Sequence, residues 1–376
     1  MTVPVFKPLL TEDEKNAAVA AIDNGWLGMG AFVGEFEAAI TTFLGRGETL
    51  HTVAVSTGHA ALHLILMEMG IGAGDEVITA SFNNIADFQA VLAVGAAPVF
   101  CDILPDSLCI DPESAERMIG PKTKAILIMD YACHLCDYAA FRALSEKTGV
   151  PIIHDAAHSF GGFTESRPVG GQFDFTMFSF DPVKNITCID GGAIIVKDEK
   201  RVASLREKRL IGMGQPSEVM YRNARAWTYD VQQLGYRYHL ANLHAAIGIA
   251  QLKKLDFIRS SRVEACRTYT QRLAGIEGLV LPASDFSEAL PFIYYVRVQH
   301  GKRAEFIQSL KEQGVDTGIH WQPGHRFSLF VQARRDALPV TERIAEEIVT
   351  LPLHSGMDKD EQERVIAAVK GFFKRT

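Results

Sequence analysis

The sequence predicts an α/β fold: a large domain built on a mostly parallel sheet, followed by a smaller C-terminal α/β domain. Three observations lead there. Through the first half, short apolar β-branched runs alternate with amphipathic helical patterns, which implies parallel strands, right-handed crossovers and helices on both faces. After Lys197 that alternation gives way to long helical periodicity. The chain, at 376 residues, exceeds one small module, while 47% hydrophobic and 22% charged residues are ordinary globular proportions.

Seven strands are expected, at 52–56, 76–80, 97–103, 124–130, 150–154, 175–180 and 192–197. Helices are expected between several of them, at 58–69, 85–94, 112–118 and 138–147. Farther on, Leu240, Leu243, Ile247, Leu252 and Leu255 mark one face of a long helix, and 260–273 reads as another. A strand at 293–298, a helix at 303–313 and a strand near 317–321 follow, then helices around 341–349 and 359–373. The large domain is therefore placed at 1–250, with an N-terminal segment, and the small one at 251–376. No Pro/Ser/Gly linker separates them, so a helix should join the two.

Lys plus Arg number 38 against 45 Asp plus Glu, a net charge of −7, which disfavours a dedicated nucleic-acid binder. No apolar run approaches the roughly 20 residues that span a bilayer, so no membrane role is expected. The N-terminus lacks a basic segment followed by an apolar core, and six cysteines are too few for a disulfide scaffold in so long a chain. A cytoplasmic protein with reduced thiols is the expectation.

Ligands of open α/β sheets bind beyond the carboxyl ends of the strands. Ser56-Thr57-Gly58-His59 follows the first strand, His154-Asp155-Ala156-Ala157-His158 the fifth, and Ser179-Phe180-Asp181-Pro182-Val183-Lys184 the sixth. Hydroxyls and free N–H groups at a helix start suit a phosphate. A carboxylate and a lysine at the same sheet edge could serve a cationic ring nitrogen and an aldehyde carbon, which are the needs of pyridoxal phosphate.

FSFDPVKNITCIDGGAIIV resembles the Schiff-base lysine segment of the DegT/DnrJ/EryC1/StrS sugar-nucleotide aminotransferases, fold-type-I enzymes that depend on pyridoxal 5'-phosphate (PLP). The resemblance runs nearly end to end. NGWLGMGAFVGEFEAAI is similar to the N-terminal segment of that family, STGHAALHL to its phosphate loop, and IIHDAAHSFGG to its pyridinium-partner motif. GYRYHLANLHAAIGIAQL resembles its dimer-contact segment and TGIHWQPGH its C-terminal substrate segment.

The resemblance implies that Lys184 forms the Schiff base and shuttles the proton, with its pKa depressed by burial and nearby positive charge. It implies that Asp155 pairs with the pyridinium nitrogen and that His158 supports the ring or its 3-oxygen. Ser179 and the backbone of Gly58 and His59 would hold the phosphate, with Arg237 or His239 added from the partner subunit of a homodimer. His320 and Trp26 would meet the substrate. Pyridoxamine phosphate would carry the amine from L-glutamate to a nucleotide-linked keto-sugar. The chain departs from the family at His59, where Thr is usual, at Asp190, where Glu is common, and at Asn84, which replaces an aromatic ring that stacks on the cofactor. Phe82 or Phe88 is the expected substitute for that ring.

KNITCIDGG and TGIHWQPGH are similar to the matching segments of 4-aminotransferases, which favours a 4-keto sugar over a 3-keto sugar. From a different class, a metal-dependent hydrolase around His154, Asp155 and His158 is conceivable, given the i, i+4 histidines. A silent relative that kept only the fold is a third reading, opposed by intact Lys184 and Asp155. Cys133-His134-Leu135-Cys136 matches a redox spacing but is more often passive, and Gly28-Met29-Gly30 and Gly70-Ile71-Gly72 read as turns. His325 could bind substrate or simply satisfy buried hydrogen bonds.

Overall fold

In a computed structural model of the chain, residues 2–45, 49–214, 217–225 and 227–375 are described. Helices α1 (Glu12–Asp23) and α2 (Ala31–Leu44) precede the sheet. Then come β1 (His51–Val55), α3 (Gly58–Glu68), β2 (Glu76–Ala80), α4 (Ile85–Ala93), β3 (Ala97–Cys101), α5 (Pro112–Arg117), β4 (Thr123–Met129), α6 (Tyr138–Thr148) and β5 (Ile152–Asp155). A short hairpin of β6 (Phe163–Thr164) and β7 (Arg167–Pro168) leads to β8 (Phe175–Ser179) and β9 (Gly192–Val196). The starts of these helices are written in the sequence. Thr57, Asn84, Asp111 and Asp137 each cap the following helix, accepting an N–H from its first turn.

The strands form one seven-stranded sheet in the order β1-β9-β8-β5-β4-β2-β3. Only β9 runs against its neighbours, β1 and β8. The pleat sends alternate residues to opposite faces. On β9, Ala193 and Ile195 join the cluster built on Phe36, Ile40 and Phe178, whereas Ile194 and Val196 join the one built on Leu62, Ile65 and Val77. The carboxyl ends of β1, β8, β5 and β2 all point the same way, and the loops that carry the expected site leave from them.

The second half comprises α7 (Glu199–Lys208), α8 (Ser217–Met220), α9 (Asn242–Leu252), α10 (Leu255–Leu273), β10 (Leu279–Val280), β11 (Tyr294–Val298), α11 (Arg303–Glu312), α12 (Pro339–Glu347), β12 (Ile348–Leu351) and α13 (Lys359–Arg375). A second sheet has the order β10-β11-β12. The joining helix is α10. Its first residues, Leu255 and Ile258, pack with the large sheet's core, and Cys266, Tyr269 and Leu273 pack with Val296, Phe306 and Ile344 of the smaller unit.

Three expectations need correction here. The long helix through Leu240–Leu255 is two helices, broken at Lys253–Lys254, and the second merges with the helix expected from residue 260. A break of two residues hardly disturbs an apolar stripe, so periodicity reads straight through it. The strand near 317–321 reduces to an isolated bridge between Gly318 and Thr350. The helix expected over 341–349 stops at Glu347, because the run Ile348-Val349-Thr350-Leu351 pairs with β11 as β12.

The first residues pack against the second half of the chain, with Val3 fully buried there. Val3 pairs with Val315, and the N–H of Leu353 donates to Val5 O at 3.1 Å. From there the chain crosses to α1, where Gln251 Nε2 donates to Leu9 O at 2.7 Å and Lys254 Nζ sits 2.7 Å from Glu14.

Candidate active site

At the end of β8, residues 181–184 form a turn: the N–H of Lys184 donates to Asp181 O at 3.0 Å and that of Val183 to Asp181 Oδ1 at 3.0 Å. Asn185 then pins the turn, its amide donating to the carbonyls of His158, Phe160 and Leu290 at 3.2–3.4 Å. Held so, the Lys184 stem keeps some solvent contact while its amine lies among buried groups, 4.4 Å from the centroid of Phe292. Burial pushes the amine's pKa down; Asp155, Asp181 and Asp87 pull it back only in part.

Asp155 closes β5. Its Oδ1 accepts the N–H of Ala157 at 2.8 Å, and its carboxyl, buried, faces Lys184 and the carboxyl of Asp87. Burial raises its pKa, against the Ala157 bond and the lysine charge. One turn on, His158 is buried between Phe292 (centroids 4.2 Å apart) and Trp321 (6.0 Å). Its Nδ1 accepts the N–H of Ala132 at 3.3 Å, which leaves the ring proton on Nε2. Burial, then the charges of Lys184 and His320, hold the ring well below the usual imidazole range, hence neutral.

The α3 start lies beside them. Thr57 Oγ1 accepts the N–H of Ala60 at 2.9 Å, while the N–H groups of Gly58 and His59, in the first turn, have no intrahelical acceptor. Gly58 is there because a Cβ would sit 2.8 Å from Ser179 Cβ. Its absence lets the helix dipole, two free N–H groups and the Ser179 hydroxyl converge, a cradle for a dianion. His59 Nδ1 is tethered to Ala86 O at 3.0 Å, and Asn84 Oδ1 accepts the Ala86 N–H at 2.9 Å. Asn84 thus caps α4.

The two expected substitute rings are placed differently. Phe88 is spent in a cluster with Phe100 and Phe330, at 5.0 and 5.6 Å, and Phe82 packs on Tyr131 at 5.5 Å. An aromatic ring does lie over the lysine amine, that of Phe292, which sequence reasoning missed, as it missed Asp87, Tyr131 and Trp321. Asp87 had a signal, a lone carboxylate inside the apolar run Ile85–Ala93. Phe292, in the irregular approach to β11, had none.

His320 joins the group: Nδ1 shares a hydrogen bond of 2.8 Å with Thr350 Oγ1, its carbonyl accepts the Tyr131 hydroxyl, and Phe6 lies edge-on at 5.5 Å. Burial first, then Lys184, lowers its pKa to about 4. Arg237 and His239 sit on a segment bridged to Leu210 and to Val55 at the end of β1. Trp26 Nε1 donates to Met29 O at 2.9 Å, and Met29, Arg225, Arg237 and His239 border one cavity of about 230 Å³.

The alternatives fare differently. His154 and Asp155, consecutive on a strand, face opposite sides of the sheet, and His154 Nε2 is bound 2.8 Å from Asp130. The hydrolase trio does not converge, and among the described residues no group of three His, Cys, Asp or Glu side chains could hold a metal ion. His325 is a structural bridge, Nδ1 to Ser81 Oγ at 2.7 Å and Nε2 to Glu342 at 2.5 Å. Burial pushes the Cys133 and Cys136 thiols far up, the reverse of a redox nucleophile. A cavity of about 1110 Å³ beside β6–β7 and the start of α6 includes none of Lys184, Asp155 and His158. Donor chemistry rather than volume locates the site.

A buried amine, a buried carboxylate and a phosphate cradle at the carboxyl edge of this sheet are the donor set of a fold-type-I PLP enzyme, and they fit that cofactor. Comparison with known proteins narrows the class: the DegT/DnrJ/EryC1/StrS aminotransferase family model matches residues 8–370. The chain belongs to this family of PLP-dependent sugar aminotransferases. Among solved structures it is similar to the aminotransferase TlmJ of Streptoalloteichus hindustanus (31% identity over 99% of each chain, TM-score 0.91). It is also similar to the sugar aminotransferase CalS13 of Micromonospora echinospora (26% identity over 98% of this chain and 99% of that one, TM-score 0.88). A third likeness is to Spr1654 of Streptococcus pneumoniae, described as a sugar aminotransferase, in its PMP form (26% identity over 100% and 98%, TM-score 0.91).

Proposed function

We propose that this protein transfers the amino group of L-glutamate to C4 of a nucleotide-linked 4-keto sugar, giving a 4-amino sugar nucleotide for glycan or antibiotic biosynthesis. The observation that carries the reading is the Lys184 amine, its pKa lowered by burial and facing the buried Asp155 at the strand ends. PLP bound there supplies an electron sink through which an amino group is exchanged between two carbonyl carbons. At rest Lys184 would hold the cofactor's aldehyde carbon; once the donor's amine displaces it, its freed neutral Nζ would move the proton between donor carbon and cofactor carbon. Asp155 keeps the ring nitrogen protonated by its negative charge. His158, with its proton on Nε2, donates to the ring oxygen. The α3 N-terminus and Ser179 anchor the phosphate.

The preference for C4 over C3 rests on the likeness of KNITCIDGG and TGIHWQPGH to 4-aminotransferase segments, and the position of His320 supports it. His320 lies close enough to feel the Lys184 charge, and Thr350 fixes its ring, leaving Nε2 for a sugar hydroxyl. A reacting carbonyl misplaced by about 1 Å loses roughly a hundredfold in rate. Matched 3-keto and 4-keto sugar nucleotides should therefore differ clearly when offered to protein loaded with pyridoxamine phosphate. Recovery of the aldehyde spectrum should be faster with the 4-keto compound; faster recovery with the 3-keto compound reverses the assignment. In the Lys184→Ala protein the yellow band of the bound cofactor should vanish, and its persistence would remove Lys184 from the centre.

A further inference from the structure

Asp87 has no part in the chemistry outlined above, yet it is buried at the centre, with 1% of its surface exposed. It stands in the first turn of α4, and its Oδ2 accepts the Asn83 amide at 2.8 Å. Its buried carboxyl faces the buried carboxyl of Asp155, close enough for each to act on the other's proton. The charged groups facing it are Asp155, from β5, and Lys184, from the loop after β8; Asp155 in turn faces Lys184 and Asp87, with His154 acting on it from the other side of the sheet.

Two carboxylates this close in a water-poor site cannot both ionise, so one proton is shared between them. The surroundings decide which carboxyl keeps it. Asp155 receives a backbone N–H from Ala157, which favours its anion. Asp87 has only the neutral amide of Asn83. The proton therefore stays on Asp87 and points at Asp155.

We propose that Asp87 is a positioning residue: it carries the proton of the pair and donates it to Asp155, holding that carboxylate as a single oriented anion for the cofactor's ring nitrogen. The inference rests on the role given to Asp155 above. A carboxylate has about four lone-pair sites, so Asp155 can accept from Ala157 and Asp87 and still meet the ring. The donated bond also tempers its basicity, so the ring nitrogen is protonated without being locked by a full, bare charge. In agreement, burial and then the charge of Asp155 hold the Asp87 carboxyl protonated well above the usual carboxylate range.

The sign of the pH effect follows. A carboxyl whose pKa rises on folding contributes stability that is complete below the unfolded value, about 4, and is lost as pH rises through the folded value. Asp87→Asn replaces the titrating donor with an amide that cannot lose its proton. In cofactor-free protein the melting temperature of Asp87→Asn should gain on wild type steadily as pH rises from about 5 to about 9. Parallel curves across that range overturn the shared proton while leaving the role of Asp155 intact. Should the variant not fold, infrared spectroscopy of the wild-type apoprotein decides: a protonated carboxyl band should persist at neutral pH, and its absence overturns the inference.

Cofactor retention then tests the positioning. Asp87→Asn should bind PLP within about twofold of wild type and Asp87→Ala about tenfold more weakly, the loss expected for a hydrogen bond to a charged group. Equal retention in both variants overturns the positioning role. If Asp87→Asn loses turnover and Asp155→Asn does not, the assignment of Asp155 itself has failed, a different result from either of these.

Discussion

At the residue scale, the site works by setting charges against burial. Lys184 is kept toward its neutral form by desolvation, yet it is flanked by Asp155 and Asp87, which stop the shift from running to completion. His158 is neutral for the same reason and is oriented by one backbone N–H. Beneath them, Asp130 collects the Tyr138 and Ser159 hydroxyls at 2.6 Å, His154 at 2.8 Å and the Cys136 N–H at 2.9 Å, all buried. That network ties β4, β5 and the turn bearing His158 into one unit, so Asp155, at the end of β5, inherits a rigid base. Asp155→Ala should still take up PLP through Lys184. Its single-turnover rate with L-glutamate should fall by about a hundredfold or more, the usual scale for losing a group aimed at developing charge. Near-wild-type turnover would transfer the duty to Asp87.

At the element scale, the phosphate cradle depends on how closely α3 approaches β8 and β9. Gly58 touches Ser179, and Gly192, opening β9, would place a Cβ 2.4 Å from Thr57 O. Gly58→Ala forces a Cβ within 3.3 Å of the Ser179 backbone, which must give; such overpacking costs about 1–3 kcal/mol. The variant should release PLP more readily, by about tenfold, whereas Gly72→Ala, whose new Cβ meets nothing nearer than 3.7 Å, should not. Equilibrium dialysis of both proteins would decide, and equal retention would show that the cradle tolerates the shift. The elements here were legible because they follow local rules. The strands are β-branched runs, the helix starts carry Thr57, Asn84 and Asp137, and motif order placed Asp155, Ser179 and Lys184 at strand ends. What was not legible is tertiary. Phe292 reaches the lysine from the other half of the chain, and β12 shows as a strand only because β11 lies beside it. The orientation of Phe82 and Phe88 depends on packing partners more than 40 residues away, such as Phe330 and Tyr131.

At the scale of the whole molecule, part of the expected chemistry borders a separate cavity. Arg237 and His239 line it with Met29 and Arg225, on a segment where His239 pairs with Val55 and Tyr238 O accepts the Ser56 N–H at 2.6 Å. Among the described residues the buried Nδ1 of His239 has no hydrogen-bond partner. Around this cavity the surface is unusually apolar. Trp227 is 90% exposed and Leu234 68%, with Ile211, Tyr229 and Val231 at about half. Large exposed apolar side chains suit a protein contact, and the segment that follows them, residues 235–252, resembles a family dimer contact, so a second copy of the chain is the occupant to test. In such a dimer each chain would offer Arg237 to the other's phosphate, coupling cofactor binding to association. Sedimentation of the PLP-loaded protein should therefore give a homodimer, and a loaded monomer would contradict it. Replacing Leu234 with Asp should weaken the dimer and, with it, cofactor retention, because both depend on the same surface. Arg237→Ala, by contrast, should leave the dimer intact and loosen PLP by about tenfold, the scale of one charge-assisted hydrogen bond. If retention is unchanged in Arg237→Ala but falls in a His239→Ala variant, the partner's phosphate ligand is the histidine.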